Sequence, residues 1–195
     1  MNTSPKIKRH NPPKIETDLL GGHYIDSIND RGIAAELAMM TAEFTSLERF
    51  MDGVLAILIG TDDSELAGYV MRAIKSPKGR VDLMRNLLEK APSNSGLSPD
   101  FDKAISEFWE INGKRNDYVH GQWYSHDSGA VFISIFDPHG WGLMSAREIK
   151  KEELSAMRNR IGAHSAFVLR TCVAEWQRRQ PQAPSPQSPE TAQGA

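Results

Sequence analysis

The residues of this chain best suited to chemistry lie between Arg115 and His120, in the stretch Arg-Asn-Asp-Tyr-Val-His. A histidine titrates near neutral pH and can transfer a proton, and an arginine guanidinium can hold the oxygens of an anionic group. Asn116 and His120 are four residues apart, so on a helix they share one face. The grouping suits proton transfer beside a group that carries negative charge.

These residues must be positioned by a helix that begins after Ser98. Ser98-Pro99-Asp100 combines an N-cap residue with a proline of the first turn, which is a helix-start signal. Arg115 falls on the apolar side of this helix, and Gly121 is expected to end it in the left-handed conformation. His120 is therefore predicted in the final turn. The apolar side consists of Phe101, Ile105, Phe108, Ile111, Tyr118 and Val119.

Arg115 and His120 each have two interpretations when they are taken singly. A charge on a packed face is costly unless it is paired or faces a polar cavity. Arg115 is therefore either half of a structural ion pair, with an acidic residue of the first helix as partner, or a functional group. His120 is either a proton-transfer group or a polar surface residue that caps the helix.

The combination Arg115-Asn116-x-x-x-His120-Gly121 resembles the signature of the HEPN superfamily, a group of small, all-helical, dimeric domains. The long helix before the motif and the further long helix after it are similar to the family layout over residues 25 to 178. Many members are metal-independent ribonucleases of toxin-antitoxin and phage-defence systems. Others are inactive RNA-binding or scaffold modules, so the resemblance leaves both functions open.

For this chain the resemblance implies that Arg115 and His120 are catalytic and that Asn116 is an orienting polar residue. His120 would take the proton of an RNA 2′-hydroxyl, and Arg115 would stabilise charge on the phosphoryl oxygens. Because one histidine supplies a single proton-transfer group, a two-fold dimer would provide the missing acid. The implied partners are RNA, a second copy of the chain and, for a toxin, a cognate antitoxin; no metal or other cofactor is implied.

Three residues beside the motif are expected to contact the RNA substrate: Lys114, Trp123 and Tyr124. The two aromatic rings suit stacking on unpaired bases, as Phe132 would, with packing in the core or within a hairpin as the alternative.

A second Arg-to-His pattern runs from Arg158 to His164, with Asn159 after the arginine. His164 lies on the buried stripe of a continuing helix, so we interpret it as a packed histidine. His126 and His139 show no recognised metal-ligand spacing. The chain also lacks a phosphate loop, a nucleophile elbow and a dinucleotide fingerprint.

The other helices are predicted from capping residues and apolar periodicity. The first should run from Asp30 to Leu58. A second should start near Thr61 and Asp62, and Ser76-Pro77 should open a third. The first helix should bury Ile33, Leu37, Met40, Phe44, Leu47, Met51, Val54 and Leu58, and the second should bury Leu66, Tyr69, Val70, Ala73 and Ile74.

After Gly121 the pattern changes to β-branched and aromatic residues. Two strands, 122–126 and 130–136, should form a hairpin around Asp127-Ser128-Gly129, followed by a type I turn at 137–140 and a short strand at 141–144. Ser145 and Glu148 have capping-box spacing, although the apolar stripe puts the firm start of the last helix nearer Lys150. The predicted fold is a mostly α-helical, HEPN-like bundle with a small β-hairpin, at about residues 122–144, inserted after the motif helix.

Length and composition favour one domain over residues 23–179, with a flexible arm at 1–22 and a disordered proline-rich tail at 180–195. The single cysteine, Cys172, excludes an internal disulfide and favours a cytoplasmic location. The longest apolar run, Val54–Ile59, is too short to cross a membrane. A net charge of −2 argues against a protein that coats nucleic acid through bulk electrostatics.

Overall fold

The computed structural model describes residues 24–25, 27–135 and 146–180. They form a mostly α-helical bundle with a small antiparallel sheet. The predicted arm, the turn at 137–140, the strand at 141–144 and all but the first residue of the tail lie outside the described residues. The elements in chain order are β1 (Tyr24–Ile25), α1 (Arg31–Ile59), α2 (Ser64–Ala73), α3 (Pro77–Lys90), a 3-10 turn (Pro92–Asn94), α4 (Asp100–His120), β2 (Gln122–His126), β3 (Val131–Ser134), β4 (Ala146–Ile149) and α5 (Lys151–Arg179).

The described residues divide between two compact units. Unit 1 takes its residues from Met1–Leu47 and Trp109–Ala163, and therefore holds the sheet, the end of α4 and the start of α5. Unit 2 takes its residues from Glu48–Phe108 and His164–Ala195, and holds α2 and α3. The three long helices α1, α4 and α5 contribute residues to both units.

Helix α1 begins and ends within one residue of its predicted bounds. Asp30 caps it, because its Oδ1 accepts hydrogen bonds from the backbone N–H of Gly32 at 2.7 Å and of Ile33 at 2.9 Å. The predicted apolar stripe is confirmed, with only Leu37 partly exposed. Its buried members are Ile33, Met40, Phe44 and Leu47 in unit 1 and Met51, Val54 and Leu58 in unit 2.

The buried face of α2 differs from the prediction. Leu66 is 49% exposed and Tyr69 is 60% exposed, whereas Ala67, Gly68 and Met71 are buried. The reason is close packing within unit 2, since a Cβ on Gly68 would lie 3.0 Å from Asp52 Oδ2 of α1. The small residues Ala67 and Gly68 on the inner face allow this approach, and Leu66 and Tyr69 lie on the exposed face.

Helices α3 and α4 start at their predicted capping residues. Ser76 Oγ accepts a hydrogen bond from Gly79 N at 3.0 Å, and Ser98 Oγ accepts one from Asp100 N at 3.2 Å. The predicted apolar side of α4 is buried, apart from Val119, which is partly exposed. The apolar side of the helix that carries the motif is therefore packed.

The predicted hairpin is confirmed as strands β2 and β3, which pair Trp123 with Ile133 and Tyr124 with Phe132. Its loop closes with a hydrogen bond from His126 N to Ala130 O at 2.9 Å and places Gly129 at a φ of 86°, as in three-residue hairpin loops. The sheet extends on both sides of the hairpin, in the order β1-β2-β3-β4.

Glu148, the second residue of the capping-box spacing noted in the sequence, does not lie in a helix. Residues Ala146–Ile149 instead form β4, which pairs with β3 and buries Ile149 opposite Val131. Burial of an apolar side chain in a sheet outweighs a local capping preference worth about 1 kcal/mol. Helix α5 then starts at Lys151, next to the predicted position.

No helix in the ranges that the structure describes is long and apolar enough to cross a bilayer.

Candidate functional site

The motif helix α4 ends at His120, as the sequence predicts, but the reason for a glycine at position 121 differs from the predicted one. Gly121 does not have a positive φ, so the predicted left-handed conformation is wrong. A Cβ at this position would lie 2.5 Å from Ile133 Cδ1 and 2.7 Å from Asp117 O. Glycine is needed because β3 and the last turn of α4 leave no room for a side chain.

His120 is exposed at the last position of α4. Its side chain makes no hydrogen bond or ion pair with any residue that the structure describes. The imidazole is therefore open to solvent and to a bound molecule. The backbone of the helix end sets the position from which it projects.

Arg115 is partly buried, and its guanidinium lies 4.8 Å from the centre of the Phe44 ring. Its Nη1 donates a hydrogen bond to Asn116 Oδ1 at 2.9 Å, while its Nε is buried without a hydrogen-bond partner. Within the described ranges no carboxylate forms an ion pair with it, so the structural ion pair that the sequence offered as one interpretation is not found. The structure thus brings Arg115 and Asn116 into direct contact.

Within unit 1, Arg158 of the second Arg-to-His pattern forms ion pairs with acidic residues of α1. Arg158 Nε lies 3.2 Å from Glu36 Oε2, and its Nη1 lies 3.9 Å from Glu43 Oε1. The first contact lacks the alignment of a hydrogen bond, so the attraction is mainly coulombic. Because Glu36 is 6% exposed, this arginine neutralises a buried carboxylate.

The interpretation of His164 as a packed histidine is confirmed in unit 2. Its side chain is buried, its Nε2 lies 3.0 Å from Ala104 O, and its ring stacks on Phe167. A buried ring in these contacts is closed to a substrate, so the second pattern is structural at both of its ends.

Replacing Arg158 with alanine is expected to lower the free energy of unfolding by about 2 kcal/mol, because it leaves the buried Glu36 carboxylate without its partner. Urea denaturation measures the change. The control is Lys78→Ala, which breaks an exposed ion pair with Asp82 and should cost less than about 0.5 kcal/mol. Equal losses in the two variants would contradict the assignment of Arg158 as a structural residue.

The predicted substrate-binding residues fall into two groups. Lys114 is exposed on α4, whereas Trp123 and Tyr124 are each 8% exposed. Trp123 Nε1 donates a hydrogen bond to Tyr118 O at 2.9 Å, which ties β2 to the last turn of α4. The two rings therefore have the packed environment that the sequence offered as the alternative to base stacking.

Sequence reasoning missed a polar cluster beside the motif, formed by Tyr118, Glu153 and Arg147. The Tyr118 hydroxyl donates to Glu153 Oε1 at 2.6 Å, and Arg147 donates to both carboxylate oxygens, at 2.8 Å and 2.6 Å. Burial, followed by the Glu153 contact, raises the pKa of Tyr118 to about 12. The hydrogen bonds from Arg147 hold the pKa of Glu153 below its usual value. No spacing in the sequence links these positions, which lie on three different elements.

Unit 2 contains a mainly apolar cavity of about 210 Å³ that none of the predicted site residues lines. Trp176, which is 51% exposed, forms part of its wall. Burial raises the pKa of the Cys172 thiol in this cavity to about 11, so the sulfur is not activated as a nucleophile. The other lining residues are Gly53, Ala56, Ile57, Thr61, Asp62, Ser64, Val173 and Arg179.

No protein-family model matches this chain, and no curated protein or solved structure matches it either. The fold is a mostly α-helical bundle, and the motif from Arg115 to His120 lies where α4 meets a small antiparallel sheet. Function must therefore be argued from the side chains of that site.

Proposed function

We propose that this protein is a metal-independent endoribonuclease of the HEPN type, acting in the cytoplasm as a toxin or phage-defence effector. The observation that carries the proposal is the end of α4. There an exposed His120 without a partner among the described residues follows an arginine that lacks a described carboxylate partner. An arginine used only for structure would more commonly be neutralised, as Arg158 is.

The chemistry follows from these two side chains. His120 takes the proton of an RNA 2′-hydroxyl, and the 2′-oxygen forms a bond to the adjacent phosphorus. The bond from phosphorus to the 5′-oxygen breaks, which leaves a 2′,3′-cyclic phosphate and a 5′-hydroxyl. Arg115 stabilises the charge on the phosphoryl oxygens through the terminal N–H groups that Asn116 does not use.

The leaving 5′-oxygen needs a proton from a second acid. In our proposal the motif of a second copy of the chain supplies it, so the active form is a homodimer. Lys114, which is exposed one residue before Arg115, contributes a phosphate contact. A cognate antitoxin would be a further partner.

The alternative proposal is a non-catalytic, dimeric interaction or RNA-binding module with the same fold. One observation favours it: the Arg115 guanidinium packs on the ring of Phe44, which is a stabilising cation–π contact in its own right. This alternative predicts that Arg115→Ala lowers the free energy of unfolding and that the wild-type protein does not cleave RNA.

Cleavage of single-stranded RNA in the presence of EDTA tests the proposal. Purified protein is expected to cut the RNA at an undiminished rate, with 2′,3′-cyclic phosphate and 5′-hydroxyl ends identified by mass spectrometry. The reason is that proton transfer and charge stabilisation come from side chains alone. Products with 3′-hydroxyl ends, or cleavage abolished by EDTA, would overturn the assignment.

A further inference from the structure

Tyr118 is held at both ends, at its hydroxyl and at its backbone carbonyl. The hydroxyl donates a hydrogen bond to Glu153, and Arg147 donates two hydrogen bonds to the same carboxylate. The carbonyl accepts from Trp123 Nε1. The last carbonyls of a helix have no partner within the helix, so this bond fixes a group that is otherwise free to fray.

The anchors of Tyr118 act on the turn that carries the motif. Tyr118 lies between Asn116 and His120 and is 7% exposed, so it cannot move without repacking its surroundings. Gly121 adds a third restraint, because Ile133 occupies the space that a Cβ at this position would take. His120 has no side-chain partner of its own among the described residues, so these backbone restraints set the position from which its imidazole projects.

We infer that Tyr118 is a positioning residue, which fixes the last turn of α4 so that Asn116 and His120 stay in a reactive arrangement. The expected effect of Tyr118 on catalysis rests on the proposed function. Its expected effect on the backbone of the last turn of α4 does not. Tyr118 acts through Glu153 and the backbone rather than on the substrate. The hydroxyl donates its proton in a hydrogen bond to the Glu153 carboxylate, so it does not serve as the acid that protonates the leaving 5′-oxygen.

The substitution Tyr118→Phe tests the inference, because it removes the hydroxyl and keeps the ring. With both proteins folded, kcat for RNA cleavage is expected to fall about tenfold while KM stays within about twofold, since misplaced groups slow the chemical step. Hydrogen exchange at the backbone amides of Val119, His120 and Gly121 is expected to speed up about tenfold. The imidazole signals of His120 in NMR spectra should shift.

Tyr69→Phe is the matched control. Tyr69 also donates its hydroxyl to a glutamate, Glu65, at 3.1 Å, but it is exposed on α2 in unit 2. Its loss is expected to leave kcat and the exchange of the three amides unchanged. If Tyr118→Phe does not fold, Glu153→Gln weakens the same hydroxyl contact and replaces it in both measurements.

The outcomes separate this inference from the proposed function. Wild-type cleavage with unchanged kcat and unchanged amide exchange in Tyr118→Phe would overturn the inference and leave the ribonuclease intact. If the wild-type protein does not cleave RNA, the ribonuclease proposal fails, and the inference about Tyr118 is tested by the rate of amide exchange alone. Faster exchange would then support Tyr118 as the anchor of the turn, and unchanged exchange would refute it.

Discussion

Replacing His120 with alanine is expected to lower kcat for RNA cleavage about a thousandfold while changing the free energy of unfolding by less than about 0.5 kcal/mol. The loss in rate follows because, in the proposed mechanism, His120 is the base that takes the proton of the 2′-hydroxyl. The small change in stability follows because the side chain is exposed and has no partner among the described residues. Single-turnover cleavage and urea denaturation measure the two quantities.

His126→Ala is the control for this variant. His126 lies at the end of β2, where its Nδ1 is 2.7 Å from Ser128 Oγ in the hairpin loop, and the proposed chemistry does not use it. Its loss should change kcat less than about threefold. Arg115→Ala is less informative, because it also removes the guanidinium from Phe44 and so changes stability. Comparable cleavage by His120→Ala and the wild-type protein would rule out His120 as the base.

Replacing Gly121 with alanine is expected to lower the free energy of unfolding by about 3 kcal/mol, because overpacking a filled core forces neighbours to shift. The new Cβ would lie 2.6 Å from Ile133 Cγ1 and 2.7 Å from a backbone oxygen, and Ile133 is fully buried. Thermal and urea denaturation measure the loss.

Gly53→Ala is the control, since it adds the same methyl group within helix α1. The nearest atom to its Cβ is Cys172 Sγ at 3.8 Å, and alanine is the better helix former, so this variant should gain about 0.5–1 kcal/mol in the free energy of unfolding.

Gly121→Asn distinguishes the steric explanation for glycine at position 121 from the conformational one. Asparagine tolerates a left-handed backbone, so wild-type stability in Gly121→Asn would restore the conformational explanation and refute the steric one.

The fold was predictable wherever the determinants are local. Asp30, Ser76 and Ser98 cap helices through atoms only two or three residues away, and the stripe of α1 repeats at the period of a helix. These features locate α1, α3 and α4 to within a residue or two. Similarly, Asp127-Ser128-Gly129 marks the hairpin loop, because one of its residues must adopt a positive φ.

The predictions failed where a distant contact outweighed a local preference. The local pattern of α2 indicates an apolar face, but close packing at Gly68 selects a different one. Residues Ala146–Ile149 follow a capping signal and still form a strand, because Ile149 is buried against the sheet. The strand β1 has only two residues and is defined by its pairing with β2, so its sequence is too short to show the alternation that predicts a strand.

The sequence by itself determined that Arg115, Asn116 and His120 lie near the end of one helix, since their spacing and the capped start of the helix are local. Only the tertiary structure decided that Arg158 pairs with the buried Glu36, why residue 121 must be glycine, and that Tyr118 is tied to Glu153. Those contacts join residues from different elements. They depend on how the helices and the sheet pack within unit 1, which no local spacing of residues encodes.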